Sequence, residues 1–154
     1  MKYDIYCDMD EVLVDFNKGY YDLTGIDIRG IFVSGTAFWD AIKKAGRKFW
    51  ANLEWTVDGK QLWAYIKKYE PILLSAPSKE NDSRIGKHDW ANRELPGTRL
   101  ILRSAEHKKF FAKPNAILID DRDENIKDWI EAGGIGIHHT SARETIIRLK
   151  ELGL

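Results

Sequence analysis

The sequence predicts an α/β fold built on a parallel sheet, and three observations predict it. Short apolar runs alternate with longer helix-like stretches over most of the chain. Those longer stretches end at residues that stop helices. At 154 residues, with 44% hydrophobic and 31% charged residues, the chain has the length and composition of one globular domain with room for a small insertion.

The first strand-like run covers residues 3–7 and ends in Asp8-Met9-Asp10. The second, 72–74, leads into Ser75-Ala76-Pro77, and the third covers 100–102. The fourth, 116–119, runs straight into Asp120-Asp121, and the fifth covers 135–138. Between them, the stretch 83–95 is stopped by Pro96-Gly97, and 123–132 by Gly133-Gly134. The last, 141–152, opens with Ser141 as a cap and Glu144 three residues on. From 16 to 69 the alternation lapses, leaving helix-like pieces at 37–44 and 60–68. This divides the chain into a core, 1–15 with 70–154, and a small helical cap inserted at 16–69. The cap is rich in aromatics that build its own small core, with Phe49, Trp50 and Trp55 as the candidates to face a ligand.

Lys plus Arg and Asp plus Glu both number 24, so no whole-molecule field draws the chain to nucleic acid or an anionic lipid surface. The amino terminus lacks the apolar core of a signal peptide, and no apolar run approaches the roughly 18 residues of a membrane span. The single cysteine, Cys7, rules out an internal disulfide. Together these features predict a cytoplasmic protein with no membrane partner and no strong nucleic-acid binding, and Cys7 reads as buried filler.

Four groups carry chemistry. Asp8 and Asp10 stand at the carboxyl end of the first strand, where open parallel sheets bind ligands. Asp120 and Asp121 end the fourth strand, and two converging carboxylate clusters repel unless a cation lies between them. A hard divalent ion with oxygen ligands, Mg²⁺ above all, suits that position, which makes Asp8, Asp10, Asp120 and Asp121 the candidate ligands. Ser75, with the backbone at Ala76, offers a hydroxyl and N–H groups to phosphate oxygens. Lys108, with Lys87 on the helix after the serine, supplies point charge for a bound phosphoryl group. The neighbouring Lys109 competes with Lys108 for that role. Asp123 reads as a helix cap, and His138-His139, pointing to opposite faces of a strand, do not share a metal.

These residues, in this order, resemble the haloacid dehalogenase-like (HAD) superfamily of phosphotransferases. Asp8 and Asp10, Ser75, Lys108, and Asp120 with Asp121 match its four motifs over essentially the whole chain. Within it, Asp8-Met9-Asp10 with Val12-Leu13 and Asp15-Phe16, then Leu74-Ser75-Ala76-Pro77 and Leu118-Ile119-Asp120-Asp121-Arg122, look most like the 5'(3')-deoxyribonucleotidase family, whose compact helical cap falls where this chain has its insertion. The resemblance implies a Rossmann-like HAD core and a Mg²⁺-dependent phosphoric monoester hydrolase. Asp8 would be the nucleophile, forming an aspartyl-phosphate, and Asp10 the general acid and base. Asp8, the main-chain oxygen of Asp10, and Asp120 or Asp121 would hold the metal, and the substrate would be a nucleoside monophosphate whose base stacks on the cap. Asp10 favours phosphate-ester over carbon–halogen chemistry, because a departing halide needs no proton. Two departures stand out: Glu11 occupies a position where many relatives have glycine, and the spacing from Lys108 to Asp120 is about two residues longer than in better-known relatives. Alternative readings are a phosphatase acting on nucleic-acid ends or another small phosphate ester, and a non-catalytic binding module that kept the fold.

Overall fold

The computed structural model of the chain describes residues 2–29 and 35–154. Among them, five strands form one parallel sheet: β1 (Asp4–Cys7), β2 (Ile72–Ser75), β3 (Leu100–Leu102), β4 (Ala116–Asp120) and β5 (Ile135–His138). Their order is β3-β2-β1-β4-β5. Each falls on a predicted apolar run. Strands covered on both faces have no polar side to alternate with, so Ile117, Leu118 and Ile119 are all fully buried.

The helices are α1 (Phe16–Thr24), α2 (Thr36–Ala45), α3 (Arg47–Ala51), α4 (Gly59–Ile66), α5 (Asn81–Glu94), α6 (Asp123–Glu131) and α7 (Ala142–Glu151). On one face of the sheet, Leu62 and Ile66 of α4, Trp90 of α5 and Leu149 of α7 close over Ile5, Leu73 and Ile117. On the other, Ile126 and Trp129 of α6, with Phe111 from a 3₁₀ segment (Ala105–Phe111), cover Tyr6, Leu74 and Leu118. Trp129 Nε1 donates to the Ala116 carbonyl at 3.1 Å, which pairs the one polar atom of a buried indole. Ser141 caps α7, accepting from Glu144 N at 3.1 Å, as predicted. No helix among the described residues is long and apolar enough to cross a membrane.

The stretch 16–69 is not uniform. Leu62 and Ile66 of α4 belong to the sheet-covering core, and the Tyr65 hydroxyl donates to the Leu154 carbonyl at 2.8 Å. Within the predicted insertion, α4 thus packs on the sheet as the crossover helix between β1 and β2. Helices α1, α2 and α3 form the rest. Phe16 packs against Phe38, Phe49 and Trp50 with ring centroids 5.6–6.2 Å apart, an aromatic core of the insertion's own. It docks through α3 on α5, where a Cβ on Gly86 would sit 2.4 Å from Trp50 Cβ and 2.7 Å from the Arg47 carbonyl. Only glycine admits so close an approach.

Candidate active site

Sheet register brings the predicted groups to one rim. Cys7 pairs with Ile119 on β4 and Leu73 on β2, while Ser75 pairs with Leu102 on β3. Asp8, Ser75 and Asp120 consequently leave the sheet at the same carboxyl edge. Asp8 N donates to the Ile119 carbonyl at 2.9 Å, which carries the pairing one residue past β1. The chain then turns tightly, with the N–H groups of Val12, Leu13 and Val14 all directed at the Met9 carbonyl (2.9–3.1 Å). Glu11 sits in this turn at φ 64°, the left-handed region that favours glycine. A short hydrogen bond from Glu11 N to the Val14 carbonyl (2.7 Å) holds that conformation. The Glu11 carboxylate accepts from Asn17 N at 2.9 Å and so steadies the start of α1. Burial pushes this carboxyl up to about 7 against the opposing effect of the Asn17 hydrogen bond.

Asp8, Asp120 and Asp121 each present a carboxylate oxygen within 4.8 Å of the others. Lys108 is buried beside them, its Nζ 3.1 Å from Asp8 Oδ1 and 2.9 Å from Asp120 Oδ2. Asp120 also accepts from Arg122 N at 3.0 Å and from Asn125 Nδ2 at 3.1 Å, so both its oxygens are fixed. Burial and the charge of Asp120 push the Asp8 carboxyl well above the usual range, despite Lys108. The same two causes push Asp121 to about 6. Burial pulls Lys108 down, but Asp8 and Asp120 more than offset it and hold the ammonium above its ordinary value. Three crowded acids thus have one buried lysine among them, which touches two. The donors are hard carboxylate oxygens, and a second cation among them would relieve the repulsion, so the residues fit Mg²⁺.

Asp10 lies beside this cluster on a separate cation. Lys87 Nζ is 3.0 Å from Asp10 Oδ2 and 5.1 Å from the centroid of the Trp50 ring, with only 2% of its side chain exposed. Asp10 Oδ1 and Ser75 Oγ are buried atoms without a hydrogen-bond partner among the described residues. An unpaired buried hydroxyl costs about 1–3 kcal/mol, and a ligand oxygen beside it offsets that cost.

The structure therefore gathers Asp8, Asp10, Ser75, Lys108, Lys87, Asp120 and Asp121 at one edge, with Ala76 next along the chain. Between the two adjacent lysines, Lys108 turns inward, and Lys109 lines a small cavity with Phe110 and Asp128. Two predicted ligand-facing aromatics are elsewhere. Phe49 lines a cavity with Gly19 and Asn52, and Trp55, which pairs with Val14 in the turn after β1, directs its ring toward α5, its Nε1 donating to Glu94 at 2.7 Å. Asp123 is the first residue of α6 rather than its cap, and pairs with Lys127 at 2.9 Å. His138 and His139 diverge as expected: Nε2 of His138 meets the Asp121 carbonyl at 2.8 Å, and Nδ1 of His139 meets Thr145 Oγ1 at 2.7 Å. Sequence reasoning missed Asn125 and Trp39. Asn125 falls in the first turn of α6, five residues after Asp120. Trp39 is 43% exposed and lines a cavity of about 620 Å³ with Trp50, Pro77 and Ser78. The i, i+4 pair Phe38 and Ile42 sets the buried side of α2, which turns Trp39 outward.

The sequence matches no protein-family model and no curated protein. Solved structures are similar over essentially the whole chain. A predicted phosphatase from Clostridium acetobutylicum superposes with a TM-score of 0.59 at 17% identity, covering 100% of both chains. The HAD-hydrolase YfnB from Bacillus subtilis, in a structure bound to magnesium, gives 0.57 at 12% identity, covering 97% of this chain and 99% of that one. A hydrolase from Streptococcus pneumoniae TIGR4 gives 0.54 at 16% identity, covering 99% and 98%. The likeness is one of fold: the five-stranded parallel sheet with helices on both faces is the Rossmann-like arrangement of HAD-superfamily hydrolases.

Proposed function

We propose that this chain is a Mg²⁺-dependent phosphatase that transfers a phosphoryl group from a nucleoside monophosphate to Asp8 and then to water. The observation that carries the reading is the meeting of Asp8, Asp120, Asp121 and Lys108 at one sheet edge, with Asp10 held apart on Lys87. An Asp8 carboxylate oxygen attacks phosphorus while the bond to the leaving oxygen breaks, and Asp10 gives that oxygen its proton. Asp10 then takes a proton from water as the water attacks phosphorus and frees Asp8. Ser75 and Lys108 bind phosphoryl oxygens, with Lys108 already offsetting the charge of two neighbouring acids. Lys87 orients Asp10 toward the leaving group. Mg²⁺ held by Asp8, Asp120, Asp121 and the main-chain oxygen of Asp10 would supply charge that offsets the repulsion between phosphate and nucleophile. Magnesium is therefore expected to raise the melting temperature by roughly 5–10 °C at a hundredfold excess over its dissociation constant. Thermal melts with Mg²⁺ and with EDTA check this.

The nucleoside reading rests on the cavity lined by Trp39, Trp50, Pro77 and Ser78. Trp50 forms part of its wall and carries Lys87 on its ring, which links the cavity to the general acid. Its remaining charged residues are two lysines, Lys43 and Lys79, against three acids, Asp40, Glu80 and Asp82, a balance that suits an uncharged leaving group over a polyanion. The exposed Trp39 ring offers a surface for a base to stack on. With Mg²⁺, deoxynucleoside monophosphates should be hydrolysed in preference to sugar phosphates. Trp39→Ala should raise KM for nucleotides by the equivalent of about 1–3 kcal/mol and leave sugar phosphates unchanged. Equal rates on both substrate classes would remove the case for base recognition. We also assign the cap role to α1, α2 and α3.

A further inference from the structure

A second groove runs along α4 toward the other end of the sheet. Its volume is about 890 Å³, and its walls are α4 on one side and the turn from α5 to β3 on the other. It reaches Pro71 and Ile72 at the amino end of β2 and Arg99 just before β3, whereas Asp8, Ser75 and Asp120 lie at carboxyl ends. Its far end lies at those amino ends, while its near end reaches Trp55 and Lys60, beside the turn after β1 in which Val14 pairs with Trp55.

Along α4 and the residue after it, Lys60, Trp63, Ala64 and Lys67 follow i, i+3, i+4, i+7 spacing, so they share the helix side turned to the groove. Leu62 and Ile66 take the buried side. Arg99 faces them from the opposite wall. Among the described residues, none of these three cations forms an ion pair. Of the two acids in the groove, Glu94 is already engaged, by Trp55 Nε1 at 2.7 Å and by Arg93 Nε at 3.1 Å. That contact, with Trp90 behind at 5.0 Å between centroids, also fixes the Trp55 ring in place. The remaining acid, Glu70, faces three cations, so the groove is locally positive on a chain of zero net charge. Two indoles beside uncompensated cations make a surface for a flat ring that carries negative charge.

We propose that this groove binds a phosphorylated nucleobase, its ring against Trp63 and Trp55 and its phosphate among Lys60, Lys67 and Arg99. The inference stands on these residues and does not depend on the catalytic reading. Two sources share the chemistry, a free nucleotide and the phosphorylated end of a single strand.

The test is an NMR titration of the tryptophan indole signals in the full chain, without Mg²⁺ and in the Asp8→Asn background, which keeps the probes intact. The probes are adenosine 5'-monophosphate, a 5'-phosphorylated oligothymidylate, adenosine and inorganic phosphate. At least one of the first two should shift the Trp63 and Trp55 signals saturably, and whichever binds tighter identifies the source. Adenosine and phosphate should each bind about tenfold more weakly or worse, since each makes half the contacts. The Lys60→Glu, Lys67→Glu double variant should lose about tenfold or more in affinity while keeping its melting temperature, because only exposed charges change. The proposal is overturned if neither phosphorylated probe moves these signals, if the charge-reversed variant binds equally well, or if adenosine alone binds as tightly as its monophosphate. It fails equally if the shifts are confined to Trp39 and Trp50. Loss of phosphatase activity would leave all of these outcomes untouched.

Discussion

Asp8→Asn is expected to lower turnover by roughly 10⁴- to 10⁶-fold, the scale seen when a catalytic nucleophile is removed, while the fold survives. The amide keeps the shape of the carboxylate, and its oxygen still accepts from Lys108, 3.1 Å away. What disappears is the negative charge that attacks phosphorus. The same change also removes one of three buried acids that repel one another, so the variant should melt at or above the wild-type temperature in EDTA. Stability and activity thus move in opposite directions, which a misfolded variant cannot imitate. Steady-state rates on a deoxynucleoside monophosphate, paired with melts in EDTA, decide it. A variant that turns over at wild-type rates would remove Asp8 from the chemistry.

Lys108→Met should be the most damaging single change to the fold. The lysine is 3% exposed and bridges Asp8 and Asp120, which are 8% and 0% exposed at their side chains. Its removal strands two buried carboxylates without their cation, a loss of about 3–5 kcal/mol on the scale of broken buried ion pairs. Activity should fall with it, since in the proposed reaction the same ammonium binds the phosphoryl group. Mg²⁺ should restore part of the stability by replacing the missing charge, and adding Asp8→Asn should restore part of it by removing an unpaired acid. Chemical denaturation of the single and double variants in EDTA measures both effects. Equal midpoints for wild type and Lys108→Met would mean that the ion pair contributes nothing to folding.

The sheet was legible in the sequence because its strands are covered on both faces. Residues 116–119 read as an unbroken apolar run, and an apolar run that ends in Asp-Asp identifies its own carboxyl edge. That is why the carboxylates and Ser75 converge where the sequence predicts. The lysines were less legible, because Lys108 and Lys109 are chemically alike and adjacent. A 3₁₀ segment advances about a third of a turn per residue, so only the packing of Phe111 against the sheet decides which ammonium turns inward. Ser75 itself illustrates how far composition reaches: a serine after a strand is ordinary, and its unpaired, buried Oγ is visible only in three dimensions. The aromatics of the insertion were the least legible. Trp39, Trp50 and Trp55 carry the same side chain, yet one is exposed on the wall of a cavity, one is buried under Lys87, and one is locked to Glu94. Tertiary contacts with α5 impose the fates of Trp50 and Trp55, through Lys87, Trp90 and Glu94, whereas the spacing of Phe38 and Ile42 turns Trp39 outward. Glu11 is a different lesson. A residue that looked like a disturbance to a glycine turn adopts the glycine conformation and uses its carboxylate to start the next helix.

Direct capture of a phosphoryl group on Asp8 tests the central claim. In Asp10→Asn, p-nitrophenyl phosphate supplies a leaving group that departs without a proton, so the first transfer proceeds, whereas water lacks the base that activates it. A rapid acid quench followed by mass spectrometry should find the peptide containing Asp8 carrying one phosphoryl group, with a matching burst of nitrophenolate. An unmodified Asp8 peptide without a burst, or a phosphoryl group on any other side chain, would contradict the account.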